Sequence, residues 1–343
     1  MKKLSFFDKI IFWVNTVFFV LTLVSFMVPY IPVTLMPTIS VLSLIVPLLV
    51  LVNLFFVLYW LIRRKNLFFM SGLLLLWSIG SESFFQLPES QQVNNSGNGI
   101  LSVMSFNVRN FNKYGWIKNT ELDNEILTFI KEQDPDILCF QEFRSIKAPL
   151  FKYYPYSFST PWPNGRSYQT IFSKYPIVMG KSLDFPNTSN NAIYADIVYD
   201  KDTVRVYNVH LQSFRIVPEM NTIKRVESAK LLKISNRAML KQYEQAQLIR
   251  EDMQGSTYEK IVTGDFNNTQ HSNIYRNIRG DMRDTFLEKG NGFGRTYNLF
   301  GFPIRIDYIL ADSDFEILAH QNFNEKLSDH YPVMATLQLK SNQ

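Results

Sequence analysis

Two long apolar runs stand near the start of this 343-residue chain and limit what it can fold into. Residues 10–28 and 39–62 carry no charged side chain, and with 19 and 24 residues each is long enough to cross a hydrocarbon core as a helix. A third run, residues 67–80, is shorter and crosses only if residues 81–87 continue it. The sequence therefore predicts an all-α transmembrane region at residues 1–88, with helices at 10–28, 39–62 and 67–87.

A soluble core helix or a cleaved signal peptide would be less consistent with these runs. A buried core helix of a soluble protein normally has an amphipathic pattern, and these runs have little. A cleaved signal peptide needs a cleavage site with small residues, whereas residues 28–31 read VPYI and more apolar segments follow. The runs therefore indicate membrane helices.

The basic residues of the first part predict its orientation. All six of them lie at the N-terminus or in one short loop: Lys2, Lys3, Lys9, Arg63, Arg64 and Lys65. The loops at 29–38 and 81–99 contain none. Because basic loops stay in the cytoplasm, three crossings would place residue 100 onward outside the cell (inner) membrane. With only two crossings this part would be cytoplasmic.

The polar part that follows is nearly neutral. Residues 89–99 read as a linker, and residues 100–341 are predicted to form a separate folded domain. Residues 100–343 carry 29 basic and 27 acidic side chains, which is no strong electrostatic footprint for nucleic acid. Cys139 is the one cysteine of the chain, so an intramolecular disulfide and a Cys-based zinc site are excluded.

Strand-like and helix-like runs alternate in this polar part. Many short strands with few long helices favour a layered α/β sandwich. The pattern predicts helices at 120–133 and 221–253 and strands at 100–107, 136–141, 168–173, 193–199, 203–211, 260–264, 304–310, 315–320 and 333–339.

Polar side chains occur where six of the apolar segments end. They are Asn107, Glu142, His210, Asp265 with Asn267, Asp307, and Asp329 with His330. Taken alone, each could serve an ordinary structural role, such as a turn, a helix cap or a surface charge. Together, carboxylate and amide oxygens suit a hard cation such as Mg²⁺, or Mn²⁺, and an Asp beside a His can orient the imidazole. This combination can support attack of water on phosphorus.

The sequence around these positions resembles a known superfamily. The blocks are SFNVR (105–109), QE (141–142), NVHL (208–211), GDFN (264–267), RIDYIL (305–310) and SDH (328–330). They are similar, in the same order, to the signature blocks of the endonuclease/exonuclease/phosphatase (DNase I-like) superfamily. It includes DNase I-like nucleases, abasic-site endonucleases, neutral sphingomyelinases and inositol-polyphosphate 5-phosphatases. The resemblance implies an α+β fold, a four-layer α/β/β/α sandwich, here preceded by the transmembrane region.

The resemblance also implies a metal site. Glu142, helped by Asn107, would hold Mg²⁺ (Mn²⁺ is the alternative), and Asp329 would lie near a metal. Arg109 stands where several members have an acidic residue, which puts a second metal position in doubt.

The same resemblance implies the catalytic roles. Asp265 would orient or deprotonate the attacking water, and Asn267 would contact the phosphate. His330, paired with Asp307, would bind the phosphate, and His210 would stabilise it or assist the leaving group.

The predicted function is a membrane-anchored, Mg²⁺-dependent hydrolase of phosphodiester or phosphomonoester bonds. The substrate class stays open between nucleic acid, as for an endonuclease or exonuclease, and a phospholipid or its head group; the bilayer itself is the other expected partner. The alternative is a catalytically inactive membrane receptor or scaffold that uses the same fold for binding.

Overall fold

In the computed structural model, the N-terminal part of the chain forms helices from the apolar runs. These are α1 (Phe6–Met27), α2 (Pro37–Ser40), α3 (Val46–Ile62) and α4 (Phe68–Gly80). Two helical stretches, Phe6–Tyr30 and Pro37–Ile62, are long and apolar enough to cross a membrane, and Phe68–Ser78 is a shorter apolar helix. The structure describes residues 4–80, 85–87, 99–161, 168–214 and 228–340.

The second apolar run is divided, where the sequence predicts one helix over residues 39–62. The short helix α2 is followed by a 3₁₀ turn, Val41–Ile45, and α3 begins at Val46 with Pro47 in its first turn. Proline lacks the N–H that a helix interior needs, and it is tolerated in the first turn, where that N–H would have no partner. The predicted range 39–62 is therefore helical throughout, as α2, a 3₁₀ turn and α3 in succession. The third predicted helix, 67–87, is described as far as Gly80, and residues 81–84 lie outside the described residues.

A buried hydrogen-bond network joins the three long helices. Asn53 of α3 donates from Nδ2 to Thr22 Oγ1 of α1 (2.8 Å) and accepts at Oδ1 from Ser71 Oγ of α4 (2.7 Å). Asn15 of α1 donates to Ser71 Oγ (2.7 Å) and accepts from Trp60 Nε1 (2.9 Å). All five side chains are at most 1% exposed. In an apolar bundle such bonds hold helices together, so α4 is bound to α1 and α3 despite its shortness.

The second part of the chain contains two six-stranded sheets. The first has the order β13-β14-β1-β2-β4-β3 and the second β5-β6-β7-β8-β12-β9, and β10 and β11 form a separate hairpin. The strands are β1 (Ile100–Asn107), β2 (Ile137–Phe143), β3 (Tyr156–Ser159), β4 (Tyr168–Ser173), β5 (Ile177–Ser182), β6 (Asn191–Tyr199), β7 (Asp202–His210), β8 (Glu259–Asp265), β9 (Arg283–Asp284), β10 (Tyr297–Leu299), β11 (Phe302–Ile304), β12 (Asp307–Ala311), β13 (Phe315–Asn322) and β14 (Val333–Leu339). The helices are α5 (Leu122–Gln133), α6 (Ser228–Gln254), α7 (Asn273–Arg279) and α8 (Thr285–Lys289).

The buried apolar residues fall into layers. Val103 of the first sheet and Ile261 of the second belong to one cluster between the sheets. Ile130 of α5 packs in a cluster on the outer side of the first sheet, and Met239 of α6 packs in a cluster on the outer side of the second. The order is helix, sheet, sheet, helix, which confirms the predicted four-layer α+β sandwich.

Two predicted elements have different bounds in the structure. The strand predicted at 304–310 is broken, because the backbone N–H groups of Ile306 and Asp307 both donate to Thr296 Oγ1 (2.9 and 3.1 Å) instead of to a neighbouring strand. The helix predicted at 221–253 is described from Ser228 to Gln254, and residues 221–227 lie outside the described residues.

Residues 28–45, here called the docking segment, pack against the sandwich. Val33 is fully buried in the same cluster as Met239 of α6. Ser43 Oγ donates to Asn268 Oδ1 (3.0 Å), and Thr269 Oγ1 donates to the Ser43 carbonyl (2.7 Å). The turn between α1 and α3 is therefore part of the folded core of the second region.

The chain after α4 touches the sandwich as well. The backbones of Gln86 and Gly292 exchange two hydrogen bonds (2.8 and 2.9 Å), and the rings of Phe85 and Phe293 lie 5.0 Å apart. The sandwich thus lies at the end of the bundle where α1 stops and α4 stops, opposite the end that carries Arg63.

Candidate active site

Polar side chains from both sheets converge on Asp265, the last residue of β8. Strand β7 runs parallel to β8, so its final residue His210 pairs with Asp265, and antiparallel β12 brings its first residue Asp307 to the other side. From the first sheet, Asn107 at the end of β1 donates Nδ2 to Asp265 Oδ2 (3.0 Å). The fold thereby gathers residues that are up to 200 positions apart in the chain.

Glycine is required directly before this aspartate. Gly264 has a φ of +132°, and a Cβ there would lie 2.0 Å from the carbonyl oxygen of Val209 on β7. A side chain at this position would push the two strands apart. The glycine of the GDFN block therefore lets His210 and Asp265 come together.

Asp265 is almost fully buried, at 1% exposed. Besides Asn107, its carboxylate accepts from the backbone N–H of Asn267 (2.8 Å) and from Asn267 Nδ2 (3.1 Å). Burial raises the pKa of Asp265 to about 6, and the neighbouring His330 opposes this rise. The group is thus an oriented carboxylate with a pKa suited to exchanging a proton near neutral pH.

His330 is held by Asp307. The distances from His330 Nδ1 to the two carboxylate oxygens of Asp307 are 3.0 and 3.2 Å, and His330 Nε2 lies 3.7 Å from Asp265 Oδ2. Burial disfavours charge on the imidazole, but the carboxylates of Asp307 and Asp265 outweigh it and raise the pKa of His330 to about 10. His330 is therefore an imidazolium at neutral pH, and Tyr297 packs on its ring at a centroid distance of 4.9 Å.

His210 has the opposite character. Its Nε2 atom lies 3.6 Å from Asp265 Oδ2 and 3.9 Å from Glu142 Oε1, and it has no hydrogen-bond partner within the described ranges. Burial lowers the pKa of His210, so the ring is neutral at pH 7. A buried ring nitrogen without a partner is costly, and it is a group that a ligand would complete.

Glu142 is turned into the site by an irregularity in β2. The register between β2 and β4 shifts between Phe140 and Phe143, and Glu142 has a φ of 50°. Its Oε2 accepts from Asn110 Nδ2 (2.9 Å). Burial and the nearby Asp329 raise the pKa of Glu142, which means that a cation beside it would be favourable.

Asp329 is engaged by Arg109. Arg109 Nη1 lies 2.8 Å from Asp329 Oδ2, and the guanidinium stacks on the Trp116 ring at 4.2 Å. The resemblance implies an acidic residue shortly after Asn107, but this chain has Arg109 there, and its guanidinium already pairs with Asp329. The arrangement leaves Asp329 close to Glu142 but partly neutralised.

Sequence reasoning missed two residues that the structure brings into the site, Asn110 and Tyr297. Asn110 reaches Glu142 because residues 109–112 all have positive φ, between 40° and 56°, a rare backbone for residues other than glycine. The second Asn of the sequence NVRN was the available signal, although no spacing rule marks it. Tyr297 lies on a three-residue strand, and its neighbour Thr296 accepts a backbone bond from Tyr331, next to His330 (2.8 Å).

Two groups of side chains offer ligands for a metal ion. Asp265, Asp307 and His330 have one ligand atom each within 4.8 Å of one another. Their oxygens already accept hydrogen bonds from Asn107, Asn267 and His330 itself. Glu142 Oε2 also accepts a hydrogen bond, from Asn110, but this side chain is 27% exposed, and burial and the nearby Asp329 disfavour its charge, so a cation fits better there.

Two protein families match parts of this chain. Residues 104–330 match the Endonuclease/Exonuclease/phosphatase family, and residues 8–83 match a domain of unknown function, DUF8431. No curated protein matches the chain.

Several solved structures have the same fold. The TDP2 of D. rerio, complexed with a single-strand DNA product, has a TM-score of 0.53 at 14% identity over 70% of this chain and 100% of that chain. An endonuclease/exonuclease/phosphatase from Bacteroides vulgatus has a TM-score of 0.53 at 19% identity, over 70% of this chain and 99% of that chain. The human Nocturnin catalytic domain with bound sulfate has a TM-score of 0.53 at 16% identity, over 71% of this chain and 96% of that chain. Because the family match covers more than half of the chain, the protein belongs to the endonuclease/exonuclease/phosphatase family.

Proposed function

We propose that this protein is a membrane-anchored phosphoesterase that depends on Mg²⁺ or Mn²⁺. Members of its family are generally phosphoester hydrolases that use divalent metals. The observation that carries the proposal is the convergence of Asn107, Glu142, His210 and the His330–Asp307 pair around Asp265. A buried group of carboxylates and imidazoles with no apolar filling is costly to keep unless it does chemistry.

The metal would be held by Glu142 and Asn107, with Asp329 nearby. When bound, it would polarise the phosphoryl oxygen and neutralise developing negative charge. Its fit is supported by the raised pKa of Glu142, which burial and the Asp329 carboxylate cause. The ion pair between Arg109 and Asp329 favours one metal over two, because a guanidinium already supplies positive charge there.

The remaining side chains divide the work on the phosphate and the water. Asp265, with a pKa of about 6, orients the attacking water and takes its proton. Asn267 holds that carboxylate in place, because its backbone N–H and its Nδ2 both donate to Asp265, and Nδ2 also donates to the Leu211 carbonyl (3.0 Å). His330 binds the phosphate as an imidazolium, and Asp307 keeps it charged and oriented. The neutral His210 stabilises the phosphate or assists the leaving group.

The apolar helices would anchor the enzyme with its catalytic domain outside the cell (inner) membrane. The basic residues Arg63 and Arg64 follow α3 at one end of the bundle, while the docking segment and residues 85–86 contact the sandwich at the other. These contacts favour three crossings, since α4 starts at the basic end and leads to the sandwich. Reporter fusions at the C-terminus would test the side: activity of a cytoplasm-only reporter would contradict it.

A phospholipid or its head group is the substrate class that the site's position favours. Ser43, three residues before α3 begins, contacts Asn268 and Thr269, which directly follow the Asn267 of the site. The site therefore lies on the side of the sandwich that faces the apolar helices. Exposed aromatic residues, Trp116 among them, lie close by. Such side chains suit the membrane–water interface.

Nucleic acid is the second candidate. It is favoured by the likeness in fold to D. rerio TDP2, which was solved with a single-strand DNA product. The near balance of 29 basic and 27 acidic residues after residue 99 gives little support for binding a polyanion.

The deciding experiment uses the full-length protein in detergent. The Glu142→Ala and Asp265→Ala variants should lose hydrolysis of bis(p-nitrophenyl) phosphate with Mg²⁺ by at least about a thousandfold and keep their thermal midpoints within a few degrees. Glu316→Ala, an exposed acid on β13, should stay as active as the wild type. Activity in both site variants would sink the proposal.

The same preparation separates the substrate classes. Hydrolysis of phospholipid vesicles and of DNA is compared with Mg²⁺ and with EDTA. Preference for DNA would move the assignment to a nuclease, and turnover of neither substrate would favour the receptor or scaffold alternative.

A further inference from the structure

A polar cavity of about 300 Å³ lies on the sandwich, apart from the active site. Its walls come from two helices, α6 and α7. The lining residues are Gln247, Arg250, Asn273, Arg276 and Asn277. Two guanidinium groups and three side-chain amides thus line it, and none of these five residues is acidic.

The cavity is placed at the level where α1 ends. Asn273 donates Nδ2 to the carbonyl of Pro29 (2.9 Å), two residues after α1 stops. The guanidinium of Arg276 lies 4.1 Å from the centroid of the exposed Tyr30 ring. A tyrosine at the end of an apolar helix lies at head-group depth in a bilayer, and a guanidinium stacked on its face lies at the same depth.

The cavity presents both hydrogen-bond donors and acceptors, so a complementary ligand has both acceptors and donors. Arg250 Nη1 donates to the backbone carbonyl of Asn277 (3.0 Å), which holds this guanidinium at the wall. The side-chain oxygens of Asn273 and Asn277 are buried and lack a hydrogen-bond partner within the described part of the chain. Guanidinium groups suit a phosphate, and amide oxygens suit hydroxyl hydrogens.

We infer that this cavity binds the head group of an anionic phospholipid that carries hydroxyl donors, of the phosphatidylglycerol kind. The phosphate lies between Arg250 and Arg276, and the glycerol hydroxyls donate to the two Asn oxygens. The bound lipid is a structural ligand that fixes the sandwich against the bilayer surface. The inference rests on the membrane anchoring proposed above and is independent of the phosphoesterase activity.

The test measures lipid retention by the full-length protein. It is purified in a neutral detergent with EDTA, which suppresses hydrolysis, and mixed with phosphatidylglycerol or phosphatidylcholine before native mass spectrometry. The wild type should retain phosphatidylglycerol in preference to phosphatidylcholine. The double variant Arg250→Gln/Arg276→Gln should retain at least about tenfold less phosphatidylglycerol, because two charge-assisted contacts are lost.

Two further variants keep the result interpretable. Asn277→Asp places a carboxylate in the cavity without changing side-chain volume, so it should also lower phosphatidylglycerol retention. It provides the test if the double variant fails to fold. Arg237→Gln removes the same charge from an exposed position on the same helix, α6, and should change retention less than twofold. Unchanged retention in the cavity variants, or an equal loss in Arg237→Gln, would overturn the inference.

Failure of this inference is distinguishable from failure of the proposed function. Flotation of the protein with vesicles reports the anchoring, and hydrolysis of bis(p-nitrophenyl) phosphate reports the enzyme. Flotation without selective phosphatidylglycerol retention overturns the lipid site alone, whereas loss of flotation overturns the anchoring and the lipid site together.

Discussion

In the helix bundle, the side-chain nitrogen and oxygen of both Asn15 and Asn53 are hydrogen-bonded to neighbouring helices. At the candidate active site, the buried Nε2 of His210 has no such partner in the described ranges. Both regions bury polar groups, but only the bundle completes its bonds internally. A closed network stabilises helix packing, whereas an open one costs about 1–3 kcal/mol per group, which a ligand can recover.

A buried polar atom without a hydrogen-bond partner does not by itself identify a site, because two histidines elsewhere in the sandwich, here called the third set, have such atoms too. His271 and His320 are buried in the sandwich and also have an unpartnered Nε2 in the described structure. What distinguishes the candidate site is that carboxylates and imidazoles from both sheets meet there. The comparison therefore indicates a stabilising role for the bundle network, and the proposed activity lies in the network that lacks internal partners.

The largest expected effect is a loss of activity without a loss of stability when Glu142 is substituted. The Glu142→Gln variant should lower kcat/KM on a phosphodiester by at least about a thousandfold, because the proposed metal site would lose its charged ligand. Its thermal midpoint in EDTA should not fall, since the repulsion between Glu142 and Asp329 disappears. Glu316→Gln is the matched exposed control. A large drop in the midpoint would mean that the open network is structural as well.

The next largest effect is a loss of stability at low pH caused by the third set, His271 and His320. Burial lowers the pKa of His320 to about 4 and that of His271 to about 3. An unfolded histidine takes up a proton below its ordinary pKa of 6.5, while these folded ones stay neutral. Their contribution to the free energy of unfolding therefore falls as the pH drops from 6.5 towards 4, by on the order of 3 kcal/mol for His320.

Asp265 acts in the opposite sense over part of this window, because its raised pKa lets the folded state take up a proton first. The difference between two pH profiles removes this contribution. Thermal midpoints of the wild type and of His320→Gln are measured between pH 7 and pH 4, and the variant should lose less stability. Parallel profiles would contradict the assigned cause.

A smaller effect is expected for the closed network. Asn53→Leu keeps the side-chain volume but removes bonds to Thr22 and Ser71, which should cost about 2 kcal/mol of bundle stability. Resistance of the full-length protein to denaturation by SDS measures this, and Leu54→Ala, at an exposed neighbouring position, is the control. Activity per folded molecule should stay unchanged. A loss of activity would mean that the bundle network couples to the site.

The proximity of these side chains could be predicted because strands bring distant chain positions together in a regular way. Asp265, Asp307 and His210 each stand at a strand end, and neighbouring strands place such ends side by side. Asn110 was beyond this argument, because it depends on a run of positive φ angles that no local sequence pattern indicates.

The fold of the apolar part was predicted less well. Length and hydropathy indicated helices, but they could not indicate that α3 begins at Val46 or that the docking segment packs against the sandwich. Val33 lies in a short loop between apolar runs, and its complete burial depends on α6, which comes some 200 residues later. Tertiary packing of this kind has no local signal.

The smallest predicted effect concerns the contact between the two regions. Ser43→Ala removes the hydroxyl that shares its hydrogen between Asn268 Oδ1 (3.0 Å) and the Ser40 carbonyl (2.8 Å). Asn268 Oδ1 still accepts from the Thr269 backbone N–H, so about 1 kcal/mol should be lost. This corresponds to a fall of about 2–4 °C in the thermal midpoint of the sandwich. Ser40→Ala is the matched control, because Ser40 Oγ donates to Met36 O within the docking segment. If the docking segment were only a tether, the two variants would behave alike. A larger fall for Ser43→Ala would mean that the docking segment belongs to the core of the sandwich.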